Sequence, residues 1–418
     1  MKPFIGDVVS EHANEAASLY DLRIAVQGAP HLRLRDLRRA FDDRIAAHFE
    51  GLAIAGEHAW PFCEAALEEP SAGAVFTAGV RAVEDKRQDR LDRLFALSGA
   101  IRETGSGLAS AFGWLERDRL QGIVASLLRS EDPLRRTVGI AACSMHRVDP
   151  GLVSARRIMD ANPLARARAL RTAGEIGCEE AVGACAAAIN DDDSECRFWG
   201  AWSSVLLGNR GTALQALTKT SLEGGPHFPR AFRLALQAMS TGAAHRELQK
   251  LAENPAHPRW LIQGSAVAGD PIYVPWLVTH MSDSKTARLA GEAFSLITGI
   301  DLGEATLEGK PPEEFESGPS DNPDDPNVDM DPGEGLPWPD AERVEQWWAA
   351  NAIRFQKGTR YFMGAPVTRE HCIDVLKTGY QRQRILAAHY LCLLDPGTPL
   401  FNTSAPAWRQ QRLLARMA

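Results

Sequence analysis

Six stretches of this chain fall into one register. DPLRRTVGIAACSM from Asp132, NPLARARALRTAGEIG from Asn162, DSECRFWGAWSSVLLG from Asp193, PHFPRAFRLALQAMSTG from Pro226, PAHPRWLIQGSAVAG from Pro255 and SKTARLAGEAFSLITG from Ser284 each carry an arginine four places after their first residue. Those arginines are Arg136, Arg166, Arg197, Arg230, Arg259 and Arg288, at intervals of 30, 31, 33, 29 and 29 residues. Five of the stretches close on a glycine: Gly177, Gly208, Gly242, Gly269 and Gly299. A period near 30 residues restricts the fold, because each unit must bury its apolar face against the next.

Helix physics accounts for the register. Asp132, Asn162, Asp193 and Ser284 are residue types that accept from the free N–H groups of a first turn. Pro133 and Pro163 follow where no N–H is missed. Apolar residues recur at helical spacing, as in Leu170, Ala173 and Ile176. The closing glycines suit left-handed C-caps. Shorter helices are expected within the units: GLVSARRIMDA, EEAVGACAAAIN, TALQALTKTSLE, HRELQKLAEN and YVPWLVTHMSD. Two helices per unit, stacked in series, predict an all-α chain built as an α-solenoid.

The shared D-x-x-x-R opening, the caps and the glycines resemble short HEAT-like repeats. On that pattern the repeats occupy 106–302. Residues 1–105, helical in pattern, form an N-terminal helical cap. Residues 303–337 form an acidic, proline-rich linker. Residues 338–418, with DAERVEQWWAANAIRF, RYFMGAPVTREHCIDVL, QRQRILAAHYLCLL and APAWRQQRLLARM, form a small C-terminal helical lobe expected to dock on the repeats or on the cap. Four stretches, DDRIAAHFEGLAIAGEHAW, LPWPDAERVEQWWAAN, GTRYFMGAPV and QRQRILAAHYLCLLDPGTPLF, are similar to an uncharacterised proteobacterial family of HEAT-like repeat proteins over nearly the full length. That resemblance implies genes close to those of type VI secretion, and carries no activity and no functional residues with it.

The net charge of −8 is unevenly placed. Gly303–Asp340 carries twelve acids, one lysine and eight prolines, a composition expected of an extended, solvated tether. Asp321, Asp325, Asp329 and Asp331 lack the spacing of a calcium loop. The remainder is nearly neutral at +3, yet Arg129–Arg171 holds nine arginines against four acids. The acidic run is expected to screen that basic segment.

Chemistry-bearing patterns are absent from the sequence. There is no nucleophile elbow, no phosphate loop and no zinc helix, so no cofactor or metal is expected and the chain is read as a non-enzyme. The seven cysteines include no C-x-x-C pair and read as buried thiols of a cytoplasmic protein. No run of about 18 apolar residues points to a membrane span. Adjacent His371 and Cys372 diverge by about 100° on a helix and cannot readily share a ligand.

The repeat arginines have two readings. Repetition at one structural position is what packing requires, so Arg136, Arg166, Arg197, Arg230, Arg259 and Arg288 are read as a ladder between units. The alternative is a row that binds phosphate or nucleic acid. Arg156, Arg157, Arg168 and Arg171 lie outside that register. With Lys219, Arg246 and Lys250 they are the candidate residues for binding a partner, as a basic strip on second helices. The leading function is a protein-interaction scaffold, an adaptor or immunity-like factor linked to type VI secretion. The alternative is a nucleic-acid-binding or DNA-repair-like protein that uses Arg129–Arg171.

Overall fold

The structure is a computed structural model that describes residues 4–254, 257–312, 315 and 333–417. The protein is all-α. Among the described residues the only strands are β1 (Tyr361–Phe362) and β2 (Ala365–Pro366), one antiparallel pair. The helices that bear on the sites are, in chain order, α1 (Gly6–Ala25), α2 (Asp43–Ala55), α3 (Ala72–Glu84), α4 (Gly105–Trp114), α5 (Pro133–Met145), α6 (Pro163–Ile176), α7 (Ser194–Leu206), α8 (Phe228–Ala238), α9 (Pro258–Ala268), α10 (Ala287–Thr298), α11 (Ala341–Asn351), α12 (Gln381–Leu394) and α13 (Ala407–Leu414). No helix among the described residues is long and apolar enough to cross a membrane.

The chain divides into two compact units, one of residues 1–216 with 376–418, the other of residues 217–375. These seams do not coincide with the boundaries read from composition. The stretch 338–418 is not one lobe: it belongs to the second unit up to Val375 and to the first from Leu376. Its segments complete helix ends in the unit in which they lie.

In the first unit α1, α2, α3 and α4 share a core in which Tyr20 and Phe76 stack at 3.9 Å. α5, α6 and α7 then pack in succession, α6 against both others. Their starts are capped as the sequence predicts. Asp132 accepts from Leu134 N–H at 2.8 Å, Asn162 from Leu164 N–H at 3.0 Å and Asp193 from Cys196 N–H at 2.9 Å.

Several expected elements take another form. GLVSARRIMDA is not a helix: it is a set of turns with one short 3-10 segment, Arg157–Met159. Asp149 accepts from the N–H groups of Gly151 and Leu152, both at 2.9 Å, and Gly151 is left-handed at φ 81°. This Asp-Pro-Gly turn fixes the backbone outside the helical region. Ser284 is not a cap. The N-cap of α10 is Thr286, whose hydroxyl bonds Asp283 at 3.0 Å. Gly242 does not close the fourth unit, since α8 ends at Ala238 and Gly242 lies in the next helix, Thr241–Ala252. Pro255 lies outside the described residues.

The position fifteen residues after each cap is the most consequential one in the fold. Gly177 and Gly208 occupy it in the first unit, left-handed at φ 71° and 96°. Where α5 ends, the same position is Arg147, also left-handed, at φ 56°. The tail lies against all three. Gly397 backs onto Gly177, Pro396 onto Gly208, and Leu400 accepts from Arg147 Nε at 2.9 Å. The tail then continues to α4, where Arg409 donates to the carbonyls of Gly113 at 2.6 Å and Leu115 at 2.9 Å. Helix C-termini end with unsatisfied carbonyls, and the tail supplies the donors.

The second unit uses the same device. Gly269 and Gly299 are left-handed at φ 70° and 74°, and each backs onto the β-hairpin, at Tyr361 and Met363 respectively. Arg360 donates to Leu236 O at 2.8 Å, Met239 O at 2.9 Å and Ala268 O at 3.0 Å, which closes the carbonyl ends of α8 and α9. The flanks of the acidic run meet within this unit. Gly309 N–H donates to Trp338 O at 2.7 Å and Asp340 N–H to Leu307 O at 2.8 Å. The two flanks are therefore stapled side by side rather than holding two lobes apart. The acidic residues Asp321, Asp325, Asp329 and Asp331 lie outside the described residues, and so does the screening expected of them.

Candidate functional site

The repeat arginines of the first unit are spent on the unit itself. Arg136 forms a two-pronged ion pair with Asp160 at 2.8 and 2.9 Å and donates to Glu131 O at 2.8 Å. Arg166 repeats this with Asp191 at 2.8 and 2.9 Å and with Asp160 O at 2.7 Å. Arg197 donates to Asp191 O at 2.8 Å and Asp192 O at 2.9 Å. Each acid reaches back to cap its own turn, Asp160 on Asn162 N–H and Asp191 on Asp193 N–H, both at 2.9 Å. The series is a ladder over these units. In the second unit Arg259 donates to Lys285 O at 2.8 Å. There Arg288 lies over the rings of Phe315 and Trp338, at 4.8 and 4.6 Å, while Arg230 is exposed.

Within the first unit the expected basic strip is not assembled. Arg156 is exposed but sits in a turn, not on a second helix. Arg157 is tied to the carbonyls of Pro150 and Leu128, both at 2.7 Å. Arg168 and Arg171 flank Glu175 on α6. Lys219, Arg246 and Lys250 are exposed in the second unit, with Lys250 paired to Glu247 at 2.8 Å. Arginines that look free in sequence are drawn to carbonyls and acids because a half-buried guanidinium needs its donors filled.

Glu175 is the centre of a buried polar cluster. Arg168 and Arg171 pair with it, the latter through Nε at 2.7 Å, and the Ser144 hydroxyl donates to it. Burial would raise the pKa of Glu175, but Arg168, Arg171 and Arg147 outweigh it and hold the carboxyl well below the usual carboxylate range. Burial pushes Arg168 down to about 10 against the pull of Glu175. Arg171 also lies over the Trp199 ring at 4.6 Å. Trp199 and Trp202 are both buried, 5.4 Å apart, and serve as core.

Beside this cluster the first unit opens a cleft of about 700 Å³. Its apolar wall is Met145, Leu391, Leu400, Phe401, Leu413 and Met417. Five arginines, Arg117, Arg147, Arg409, Arg412 and Arg416, line it against two acids, Glu116 and Asp118. Arg412 pairs with Glu116 at 2.6 Å, and Arg416 is exposed. His146 also lines the cleft, its Nε2 at 2.9 Å from Phe112 O. Burial pushes its pKa down to about 4, with Arg409 and Arg117 acting in the same direction, so the ring is neutral at pH 7. The sequence reading missed this cleft. Arg409, Arg412 and Arg416 follow i, i+3, i+7 spacing, and that one-sided pattern was the signal available.

The remaining reactive groups are quiet. Burial pushes the thiols of Cys63, Cys185, Cys196, Cys372 and Cys392 up to about 12, so they are protonated at pH 7. His371 bonds Phe362 O at 2.7 Å and is used in packing. Trp347 packs on Phe294 at 5.5 Å while Trp348 turns to Phe355 at 5.4 Å, so the adjacent rings diverge. Among the described residues no three His, Cys, Asp or Glu side chains are grouped to hold a metal ion.

No family model matches this chain, and neither a curated protein nor a solved structure does.

Proposed function

We propose that this chain is a HEAT-like repeat scaffold of the cytoplasm that binds a protein partner rather than transforming a substrate. The cleft of about 700 Å³ carries the reading. An apolar wall with arginines in excess of acids complements a segment that alternates acidic and apolar side chains. The repeat reading rests on the common register, the Arg136–Asp160 and Arg166–Asp191 ladder and the serial packing of α5, α6 and α7. The family resemblance favours an adaptor or immunity-like role beside type VI secretion, which is an inference by analogy.

Nucleic-acid binding is the weaker reading. Arg136, Arg157 and Arg166 are each tied to protein carbonyls or acids, so few donors in Arg129–Arg171 are left to follow a nucleic-acid backbone. The test is a photo-crosslinking residue at Leu413 in the native host, with and without the double substitution Arg412→Glu and Arg416→Glu. One protein should be captured through an acidic, apolar peptide, and the charge reversal should abolish capture. Capture of nucleic acid alone, or of no discrete protein at low and moderate salt, rejects the scaffold reading.

A further inference from the structure

Beneath residues Leu400–Pro406 of the tail lies a second cavity of the first unit, about 340 Å³ in volume. Four arginines line it, Arg23, Arg147, Arg168 and Arg171, with Glu175 as the one acid. Arg23 is neutralised by Asp42, outside that lining. Arg147, Arg168 and Arg171 therefore share a single carboxylate, and the wall holds positive charge in excess. Such charge is costly to bury unless an anion meets it.

Two further observations point to a ligand. Arg168 Nε is buried on this lining and has no hydrogen-bond partner, and the Tyr20 hydroxyl lies on it with the Ser110 side chain as its one polar neighbour. Tyr20 as a whole is 2% exposed, so its hydroxyl is out of reach of bulk water. In addition, Arg171 bonds Glu175 through Nε, and its two terminal nitrogens make no hydrogen bond among the described residues. The rest of the lining includes apolar rings, Phe76, Trp114 and Phe401.

We propose that this cavity binds a small phosphate monoester with an apolar or aromatic body. The phosphate sits on Arg168 and Arg171 near the Tyr20 hydroxyl, and the body packs on Trp114 and Phe401. A dianion matches the surplus left by three guanidinium groups and one carboxylate, and tetrahedral oxygens accept N–H groups arriving from several directions. A pocket of this volume lies at the small end of those that enclose a metabolite. The cavity adjoins the cleft proposed for the protein partner and shares Met145, Arg147, Leu400 and Phe401 with it, but Tyr20, Arg168 and Arg171 line the cavity alone and Arg412 and Arg416 the cleft alone, so variants at these positions tell the two sites apart.

The test uses the full chain, titrated calorimetrically with phenyl phosphate, inorganic phosphate and phenol, with thermal unfolding in parallel. Phenyl phosphate should bind and raise the Tm. Inorganic phosphate should bind about tenfold more weakly, because it lacks the apolar contact, and phenol should not bind. Arg171→Gln should weaken phenyl phosphate about tenfold or more. Tyr20→Phe removes one donor at the phosphate and should weaken phenyl phosphate about threefold. Absence of heat and of any Tm shift at millimolar phenyl phosphate refutes the proposal. So does equal affinity in wild type and both variants, which would place the anion elsewhere.

Discussion

Gly177 and Gly397 meet backbone to backbone: a methyl group on Gly177 would collide with the Gly397 carbonyl. Gly177 is also left-handed at φ 71°. One glycine thus ends α6 and admits the tail, a joint role that explains why the tail crosses the helix ends where glycine or Arg147 stands. Gly177→Ala should cost about 2–4 kcal/mol, the sum of a backbone penalty of about 1 kcal/mol and displacement of the tail. Gly122 has a similar φ of 79° with open space around it, so Gly122→Ala should cost about 1 kcal/mol. Denaturant unfolding of the two variants measures the difference, and equal losses would show that the tail contact contributes nothing.

Arg147 holds the left-handed position without being glycine, at φ 56°. Its guanidinium donates to Leu400 O and Ser144 O, which offsets the backbone cost. Arg147→Ala loses those bonds and keeps the strain, whereas Arg147→Gly loses the bonds and relieves it. The glycine variant should therefore be the more stable of the two by about 1 kcal/mol, although both fall below wild type. The reverse order in urea unfolding would mean that the strain is not stored there.

The Arg166–Asp191 pair is two-pronged and mostly buried, with side-chain exposures of 20% and 15%. A double-mutant cycle with Arg166→Ala and Asp191→Ala should give a coupling of about 1–2 kcal/mol. The same cycle on Arg38–Asp43, exposed at 42% and 48%, should give about 0.5 kcal/mol or less. Coupling that is no larger at Arg166–Asp191 would remove the ladder from the account of stability.

His146 makes the first unit sensitive to mild acid. Its folded pKa is about 4, below the ordinary 6.5 that the unfolded chain keeps. Between these values the unfolded state takes up a proton that the folded state refuses, so stability falls as pH falls. From pH 7 to pH 5 this single group should cost about 2 kcal/mol. Glu175 works in the other sense of charge: its depressed folded pKa adds stability above the unfolded value, lost only below about pH 4.5. His146→Gln keeps a donor toward Phe112 O and should abolish most of the loss between pH 7 and 5. An unchanged pH profile in that variant would assign the loss to other groups.

What was legible and what was not divides by range in the chain. Asp132, Asn162 and Asp193 were readable as caps because the hydrogen bond they make closes within three residues. The failures at 151–161 and at Ser284 are also local. There turn-forming Asp149 and Asp283 captured the N–H groups that a helix or cap would have used. The candidate sites were mostly illegible, because Arg168 and Arg171 look alike in sequence whether they meet solvent, a partner or Glu175.

The sequence by itself determined an all-α chain, the period of its arginines, the three N-caps and the left-handed turns at Gly177, Gly208, Gly269 and Gly299. All of these follow from hydrogen bonds and steric limits spanning a few residues, together with apolar spacing along one helix. Only the tertiary structure decided where residues 356–417 go, that Arg147 replaces a closing glycine, that the flanks of the acidic run are stapled together, and which arginines surround the two cavities. Those outcomes depend on carbonyl ends left unsatisfied far away in sequence, and no local pattern in the tail records which helix ends it will complete.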